Sequence, residues 1–177
     1  MTASSVFRVA DLSAAVPARF DLRPDPDTRS DLAGDLGLLA LRKLSFVGEI
    51  RAAGKRDWEL FGRLGATVVQ PCVVTLDPVT TRLDTDVRRL FCKQMPDLEG
   101  EEVEMPDDDG IEPLGEEIDA AVVMAEALAL ALPLYPRADG AELGEAVFAA
   151  PDVKPMRDED ARPFAALAQL RAKMDGD

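Results

Sequence analysis

The chain contains no histidine among its 177 residues. This absence excludes Ser-His-Asp and Cys-His catalysis, and it excludes zinc sites that use histidine ligands. It also removes the side chain that most often serves general acid–base catalysis near neutral pH. The sequence therefore favours a protein without enzymatic activity, and it predicts neither a cofactor nor a metal site.

Cysteine is scarce as well, since Cys72 and Cys92 are the only two. Two cysteines do not make a disulfide framework, and Thr75 stands where a C-x-x-C pair would place a second thiol. The simplest interpretation makes both cysteines small buried hydrophobic side chains. We expect their thiols to be reduced, as is usual in the cytoplasm.

Long apolar runs are also missing, because none reaches the roughly 18 residues that predict a membrane span. The longest candidate, residues 120–134, is interrupted by Glu126 and stopped by Pro133. The first residues lack the charged and then apolar regions of a secretory signal peptide. We therefore expect a soluble, cytoplasmic protein that does not interact with membranes.

Positive charge is absent from one long stretch, residues 94–136, which holds thirteen carboxylates and no Lys or Arg. Residues 1–93 carry 14 basic and 12 acidic side chains, whereas residues 94–177 carry 6 and 22, which together give the net charge of −14. A near-neutral half with scattered Arg can contact polyanions. An acidic half repels them and suits a basic partner, or merely keeps the protein soluble.

The first half of the chain has the pattern of an antiparallel sheet, because apolar residues alternate with polar ones over residues 44–52 and 57–64. Ala53-Gly54-Lys55 is typical of a hairpin turn, and short turns between successive strands predict a meander. In the last strand, Leu83 and Val87 face the same way, and Arg82, Arg88 and Arg89 are expected to be exposed. The predicted strands are residues 6–9, 18–23, 44–52, 57–64, 67–75 (which extends the preceding strand or begins another) and 80–91.

Three helices are predicted. Asp27 or Thr28 is a possible N-cap for a helix over about residues 28–40, with Leu32, Leu36 and Leu39 as its apolar stripe. Asp119 caps a second helix, residues 120–132, which is rich in Ala and Leu. A short C-terminal helix carries Phe164, Leu167 and Leu170 on one face, and we expect it to dock on a partner or on the core.

These elements predict an α+β fold, in which an antiparallel meander sheet is packed by two to three helices. A single domain would cover residues 1–136, including a mobile acidic loop at residues 94–117 with several prolines and glycines. Residues 137–177 would form an irregular arm that ends in the short helix.

Two groups of charged residues are candidates for function. Glu126, inside an otherwise apolar helix, either meets an Arg of the sheet or a partner, or faces water. The basic residues of the β region either form a face that binds RNA phosphates or belong to a solvated sheet face with acidic neighbours. These candidate RNA-binding residues are Arg51, Lys55, Arg56, Arg63, Arg82, Arg88, Arg89 and Lys93.

An ordered set of short segments resembles the YceD-like family of large ribosomal RNA subunit accumulation proteins, over residues 15–173. The segments are Gly62-Arg-Leu, Val69-Gln-Pro-Cys72-Val-Val-Thr75-Leu-Asp-Pro78-Val, Ile111-Glu112-Pro113, Ile118-Asp119, Glu126, Ala129-Leu-Ala-Leu-Pro-Leu-Tyr-Pro136 and Arg162-Pro-Phe-Ala-Ala-Leu-Ala-Gln-Leu-Arg171.

The resemblance implies a role in 23S ribosomal RNA accumulation, and no enzymatic activity is established for the family. Members commonly have C-x-x-C where this chain has Cys72-Val-Val-Thr75, and often a further cysteine where it has Arg137-Ala-Asp. If those cysteines bind a metal in other members, this chain has lost the site, which suggests that the shared role does not need metal.

The sequence therefore predicts a non-catalytic factor in 23S ribosomal RNA accumulation and large-subunit biogenesis. Its partner would be precursor 23S RNA or a large-subunit ribosomal protein, and neither DNA nor a membrane. The alternative is an acidic escort, whose carboxylates at residues 97–117 neutralise a basic protein without direct RNA contact. A further hypothesis, from charge sign alone, is that the acidic loop mimics RNA and inhibits its binding.

Overall fold

The computed structural model describes residues 5–94 and 110–142. Residue contacts divide the chain into two units, Met1–Ala141 and Glu142–Asp177, and the second falls outside the described residues apart from Glu142. The domain boundary predicted at residue 136 and the C-terminal helix with Phe164, Leu167 and Leu170 therefore stay predictions. The described elements are β1 (Val6–Arg8), a 3-10 turn (Val9–Asp11), β2 (Ala18–Leu22), α1 (Pro26–Asp35), β3 (Ala40–Ala53), β4 (Asp57–Pro71), β5 (Pro78–Cys92), β6 (Ile111–Pro113), β7 (Glu117–Asp119) and α2 (Ala120–Ala131).

Five of the strands form one sheet, in the order β2-β3-β4-β5-β6. Adjacent strands in this sheet are antiparallel, except that β5 and β6 are parallel. Strands β1 and β7 form a separate antiparallel pair. The predicted α+β class is confirmed, and the sheet is mostly an antiparallel meander.

Strand β4 is the centre of the sheet and pairs with β3 and β5 along almost its whole length. The predicted hairpin turn joins β3 to β4, and Gly54 there has a φ of +76°, in the left-handed region that favours glycine. Proline has no N–H to donate, so Pro71 predicts a sheet edge or a bulge at its position. It is instead the last residue of this central strand, where the ladder needs no further N–H donor.

Helix α1 begins and ends earlier than the sequence predicted. Asp25, not Asp27 or Thr28, is the N-cap, and its Oδ1 accepts a hydrogen bond of 2.9 Å from the Thr28 N–H. Pro26 occupies the first turn, where its missing N–H costs nothing. Gly37, with a φ of +64°, follows the helix end. The predicted end at residue 40 is therefore wrong.

Helix α2 agrees with the sequence. The Asp119 side chain accepts a hydrogen bond of 2.8 Å from the Ala121 N–H, and Pro133 follows the C-cap residue Leu132. The buried side of the helix, which includes Val123, Met124 and Leu128, belongs to the core beneath the sheet. Within the described residues, no helix is both long and apolar enough to span a membrane.

The face of the sheet that joins this core is called the inner face here. In β4 it consists of alternate residues, from Trp58 and Leu60 to Ala66 and Val68, all of them buried. Their register partners complete it, so the alternation predicted from the sequence for residues 44–52 and 57–64 is confirmed.

Two glycines on the inner face make room for aromatic rings. A Cβ at Gly62 would lie 2.6 Å from Cε2 of Phe46, and a Cβ at Gly48 would lie 2.7 Å from Cζ of Phe20. Gly48 and Gly62 are register partners, and the rings of Phe20 and Phe46 pack with centroids 5.0 Å apart. The missing side chains therefore let two rings lie close against the sheet.

The predicted acidic loop, residues 94–117, is only partly described. Residues 95–109 lie outside the described part of the chain. Ile111–Pro113 was expected to be loop but forms β6, which pairs with β5 from Leu90↔Ile111 to Cys92↔Pro113. Leu90 N–H also donates to the Gly110 carbonyl at 2.8 Å.

Candidate functional site: the outer face of the sheet

The sheet surface opposite the inner face, called the outer face here, carries the charged residues. In β4 it consists of Asp57, Glu59, Phe61, Arg63 and the alternate residues that follow. Val47 and Phe61 on this face are 45% and 46% exposed, so the face is open to solvent around them.

The register divides the eight candidate RNA-binding residues into three groups. Four of them lie on the outer face, because each is either an outer-face residue of β4 or the register partner of one. These four are Arg51, Arg63, Arg82 and Arg88. The cations at one end of the sheet are Lys55 and Arg56 in the β3–β4 turn and Lys93 just after β5. Arg89 lies on the inner face, because its register partner is Leu60.

The expectation that Arg89 is exposed is therefore wrong. Its side chain is only 16% exposed, with Nε 3.0 Å from Oε1 of Glu112 and Nη2 3.7 Å from Oε2 of Glu126. The Nε–H is not aligned as a hydrogen bond, so the contact with Glu112 is an ion pair only. Glu126 thus meets an Arg of the sheet, and because its side chain is 49% exposed it also faces water. Arg89 thus joins β5, β6 and α2.

The buried carboxylate of Glu59 holds two of the outer-face arginines. Its Oε2 accepts a hydrogen bond of 2.8 Å from Arg51 Nε, and its Oε1 accepts one from Arg88 Nε. Glu59 is only 7% exposed, whereas both arginine side chains are more than half exposed. Hydrogen bonds from Arg88 and then Arg51 lower the pKa of Glu59, so the carboxylate stays charged and both guanidinium groups are fixed in place.

The far half of the outer face, away from the β3–β4 turn, is electrically balanced. Arg82 illustrates this, since its Nε and Nη2 donate to the two oxygens of Asp84 at 2.8 and 2.7 Å. The paired positions of this half carry three cations and three carboxylates: Lys43, Arg63 and Arg82, and Asp21, Asp84 and Asp86.

The half nearer the β3–β4 turn is called the hairpin half here, and it has an excess of positive charge. Within residues 5–94 and 110–142, no ion pair involves Lys55, Arg56 or Lys93, and the last two border one shallow cleft with Val9 and Leu114. Among the described residues, the hairpin half carries six cations and three carboxylates: Arg19, Arg51, Lys55, Arg56, Arg88 and Lys93, and Glu49, Asp57 and Glu59.

Phe61 is a surface residue that the sequence analysis missed. It lies on the central strand of the hairpin half, with Glu49 and Arg88 as its register partners. The signal was present in the sequence, because Phe61 is an apolar residue at a polar position of the alternation Asp57, Glu59, Phe61, Arg63. A half-exposed aromatic ring can stack on a planar group such as a nucleic-acid base.

A second site of interest surrounds Cys72, at the opposite end of the sheet. Its Sγ accepts hydrogen bonds from the N–H groups of Val74 and Thr75 at 3.4 Å, and from Ala138 N–H at 3.3 Å. The structure therefore brings together the two segments in which this chain departs from the cysteine pattern. Among the described residues, no group of three or more Cys, Asp or Glu side chains could hold a metal ion.

The thiol of Cys72 is more than a small apolar side chain. It is buried, yet hydrogen bonds from the Thr75 side chain, from Ala138 N–H and from Thr75 N–H lower its pKa to about 6. Cys92 is different, because burial and then the Asp57 charge raise its pKa. Describing both cysteines as small hydrophobes is incomplete for Cys72, which carries a stabilised negative charge near neutral pH.

Comparison with known proteins identifies the family. The model of one family, described as large ribosomal RNA subunit accumulation protein YceD, matches residues 60–171. No curated protein matches the chain, and no solved structure does. The matched region includes β4, β5, Cys72 and α2, and it covers more than half of the chain. The chain belongs to the YceD family.

Proposed function

We propose that this protein is a non-catalytic, cytoplasmic factor for accumulation of 23S ribosomal RNA, and that it contacts precursor RNA directly through the hairpin half of the outer face. The family description supports the role in large-subunit RNA accumulation. The observation that supports direct contact is the excess of cations on the hairpin half, where the described part of the chain places six cations and three carboxylates.

The positions of the eight candidates refine the proposed RNA-binding set. Lys55, Arg56 and Lys93 supply phosphate contacts at the end of the sheet, and Arg51 and Arg88 supply them on the outer face. Arg63 and Arg82 contribute less, because neighbouring carboxylates balance their charges. Arg89 contributes nothing directly, because it faces the core and pairs with Glu112 and Glu126.

The role in the cell is tested by depleting the protein in its host and measuring the ratio of 23S to 16S ribosomal RNA during steady growth. We expect the ratio to fall because 23S RNA decreases while 16S RNA is unchanged. An unchanged ratio would contradict the proposed role.

Direct contact is tested with the purified full chain and fragments of precursor 23S RNA. The double variant Lys55→Gln/Arg56→Gln should weaken binding and reduce the slope of log affinity against log salt, by about 0.7 for each lost phosphate contact to a single strand. The matched control is Arg63→Gln/Arg82→Gln, which removes the same charge from the balanced half. Equal losses in both double variants would contradict a site on the hairpin half.

The second candidate is the acidic escort, and one observation favours it: residues 94–136 hold thirteen carboxylates and no Lys or Arg. In the described part of this stretch, Glu112, Glu117 and Glu126 pair with arginines of the same chain. The carboxylates left for an escort are that of Glu116 and those of residues 97–109. Their replacement by amides should abolish capture of a basic large-subunit ribosomal protein and leave RNA affinity unchanged. A rise in RNA affinity would instead support the RNA-mimic hypothesis.

A further inference from the structure

Phe61 is an apolar side chain whose nearest neighbours on the outer face are charged. Its strand neighbours on the same face are Glu59 and Arg63, and its register partners are Glu49 and Arg88, all of them charged. The ring is 46% exposed, so much of its apolar surface stays in contact with water. When a flat partner covers apolar surface of this kind, the free energy of the complex is lowered.

The ring lies between two anchored arginines, and its four nearest neighbours on the face are two carboxylates and two cations. Glu59 anchors Arg51 and Arg88 on either side of its buried carboxylate, and both arginine side chains are more than half exposed. Because they are already held in place, they lose little side-chain entropy on binding an anion. The β3–β4 turn adds Lys55 and Arg56 at the end of the same surface. The ligand that matches this surface is therefore planar, apolar on its faces and negatively charged along its backbone.

We propose that Phe61 stacks on an unpaired base of single-stranded RNA, while Arg51, Arg88, Lys55 and Arg56 contact the phosphates on either side. This inference rests on the proposed function and names the form of RNA that the site takes. An open strand fits better than a duplex, because the bases of an A-form duplex are stacked on one another and present no face to a ring on a flat sheet. Stacking tolerates any base, so the site selects unpaired RNA rather than a sequence.

The experiment uses the full chain and a fluorescein-labelled oligouridylate of about ten nucleotides, within the usual site size for single-strand binding. Phe61→Leu keeps an apolar side chain but removes the aromatic face. We expect it to weaken binding roughly tenfold, as the loss of one stacked base does. The matched control is Val47→Ala, at a similarly exposed apolar residue of the same face, and we expect it to bind like the wild type.

A third variant, Phe61→Trp, keeps the inference testable if Phe61→Leu changes the fold. We expect it to bind at least as tightly as the wild type, and its indole fluorescence should be quenched as RNA is added. The native Trp58 is buried on the inner face, so the wild type is the blank for this signal. A fully paired RNA of the same length should quench little.

The outcomes separate this inference from the function on which it rests. If Phe61→Leu and Phe61→Trp both bind RNA as tightly as the wild type, and the indole of Phe61→Trp is not quenched, the stacking site is overturned. RNA binding itself is then left intact. Loss of an acidic protein partner in Phe61→Leu, with RNA affinity unchanged, assigns the surface to a protein and also overturns the inference. No RNA binding by the wild type, together with an unchanged 23S to 16S ratio on depletion, overturns the proposed function itself.

Discussion

Arg89 of β5 and Glu126 of α2 face each other across the inner side of the sheet, with 3.7 Å between Nη2 and Oε2. Together with Glu112 of β6, they form a charged cluster at the junction of three elements. One consequence concerns experiments on RNA binding. A variant that changes Arg88 and Arg89 together would disturb this junction as well as the outer face, and so it cannot report on RNA contact alone.

The first prediction is that Arg89→Met destabilises the fold by about 1–3 kcal/mol, because two carboxylates then lose their shared cation near the core. The measurement is the free energy of unfolding from urea titration. Arg82→Met is the control, since it breaks the exposed pair with Asp84 and should cost less than about 1 kcal/mol. Equal costs in the two variants would show that the junction has no special role.

The second prediction concerns acid stability and Glu59, whose pKa the two arginines lower from 4.5. The charged carboxylate stabilises the folded state fully above its unfolded pKa, and this contribution is lost as the pH falls through the lower folded pKa. Glu59→Gln should therefore be less stable than the wild type near neutral pH, and the difference should shrink in acid. Urea midpoints measured across this range test it. A gap that stays constant with pH would contradict the prediction.

Much of the fold follows from local sequence rules, and the predictions that were wrong have identifiable causes. Alternating residues in β3 and β4, the Gly54 turn and the Asp119 cap are local signals, and all were predicted. The end of α1 was misplaced because Leu39 continues the spacing of Leu32 and Leu36, although it is 57% exposed. Gly37 breaks the helix before that position.

The third prediction concerns the thiolate of Cys72. Its folded pKa of about 6 lies below the ordinary value of 9.0, so ionisation stabilises the fold fully above that ordinary value. The contribution falls as the pH is lowered from 9.0 towards 6. The ultraviolet absorbance of the thiolate, followed in a Cys92→Ser background, should titrate near the lower value.

The control for this titration is Thr75→Val, which removes the largest cause of the shift, the hydrogen bond from the Thr75 side chain. We expect it to move the midpoint upward. A midpoint near 9.0 in both proteins would show that the hydrogen bonds around Sγ do not stabilise its charge.

The fourth prediction ranks three glycine substitutions by stability. A Cβ at Gly48 would lie 2.6 Å from the Cα of Gly62 and also meet the Phe20 ring, so Gly48→Ala should cost about 3 kcal/mol or more. Gly62→Ala meets only aromatic side chains, which can shift, and it should cost less. Gly34, within α1, has open space around it, so Gly34→Ala should stabilise the protein by up to about 1 kcal/mol. Thermal unfolding midpoints give the order, and any other order contradicts this account of the inner face.

The site was harder to predict than the fold, because it depends on register. Arg88 and Arg89 are adjacent in the sequence, and neighbouring strand residues point to opposite faces. The sequence alone does not show which of these two side chains is exposed to solvent. It also could not show that Glu59 would lie beneath Arg51 and Arg88, since that contact joins three strands. Phe61 could have been identified without knowledge of such a contact, because it is an apolar residue at a polar position of the strand.

The parallel pairing of β5 with β6 has a consequence for the segment that connects them. The chain leaves the sheet after Cys92 and returns beside Leu90, so the two attachment points of the intervening segment are fixed by the same pair of strands. The free energy of closing such an excursion grows only slowly with its length. A change in the length or charge of this segment is therefore compatible with the same pairing of β5 and β6.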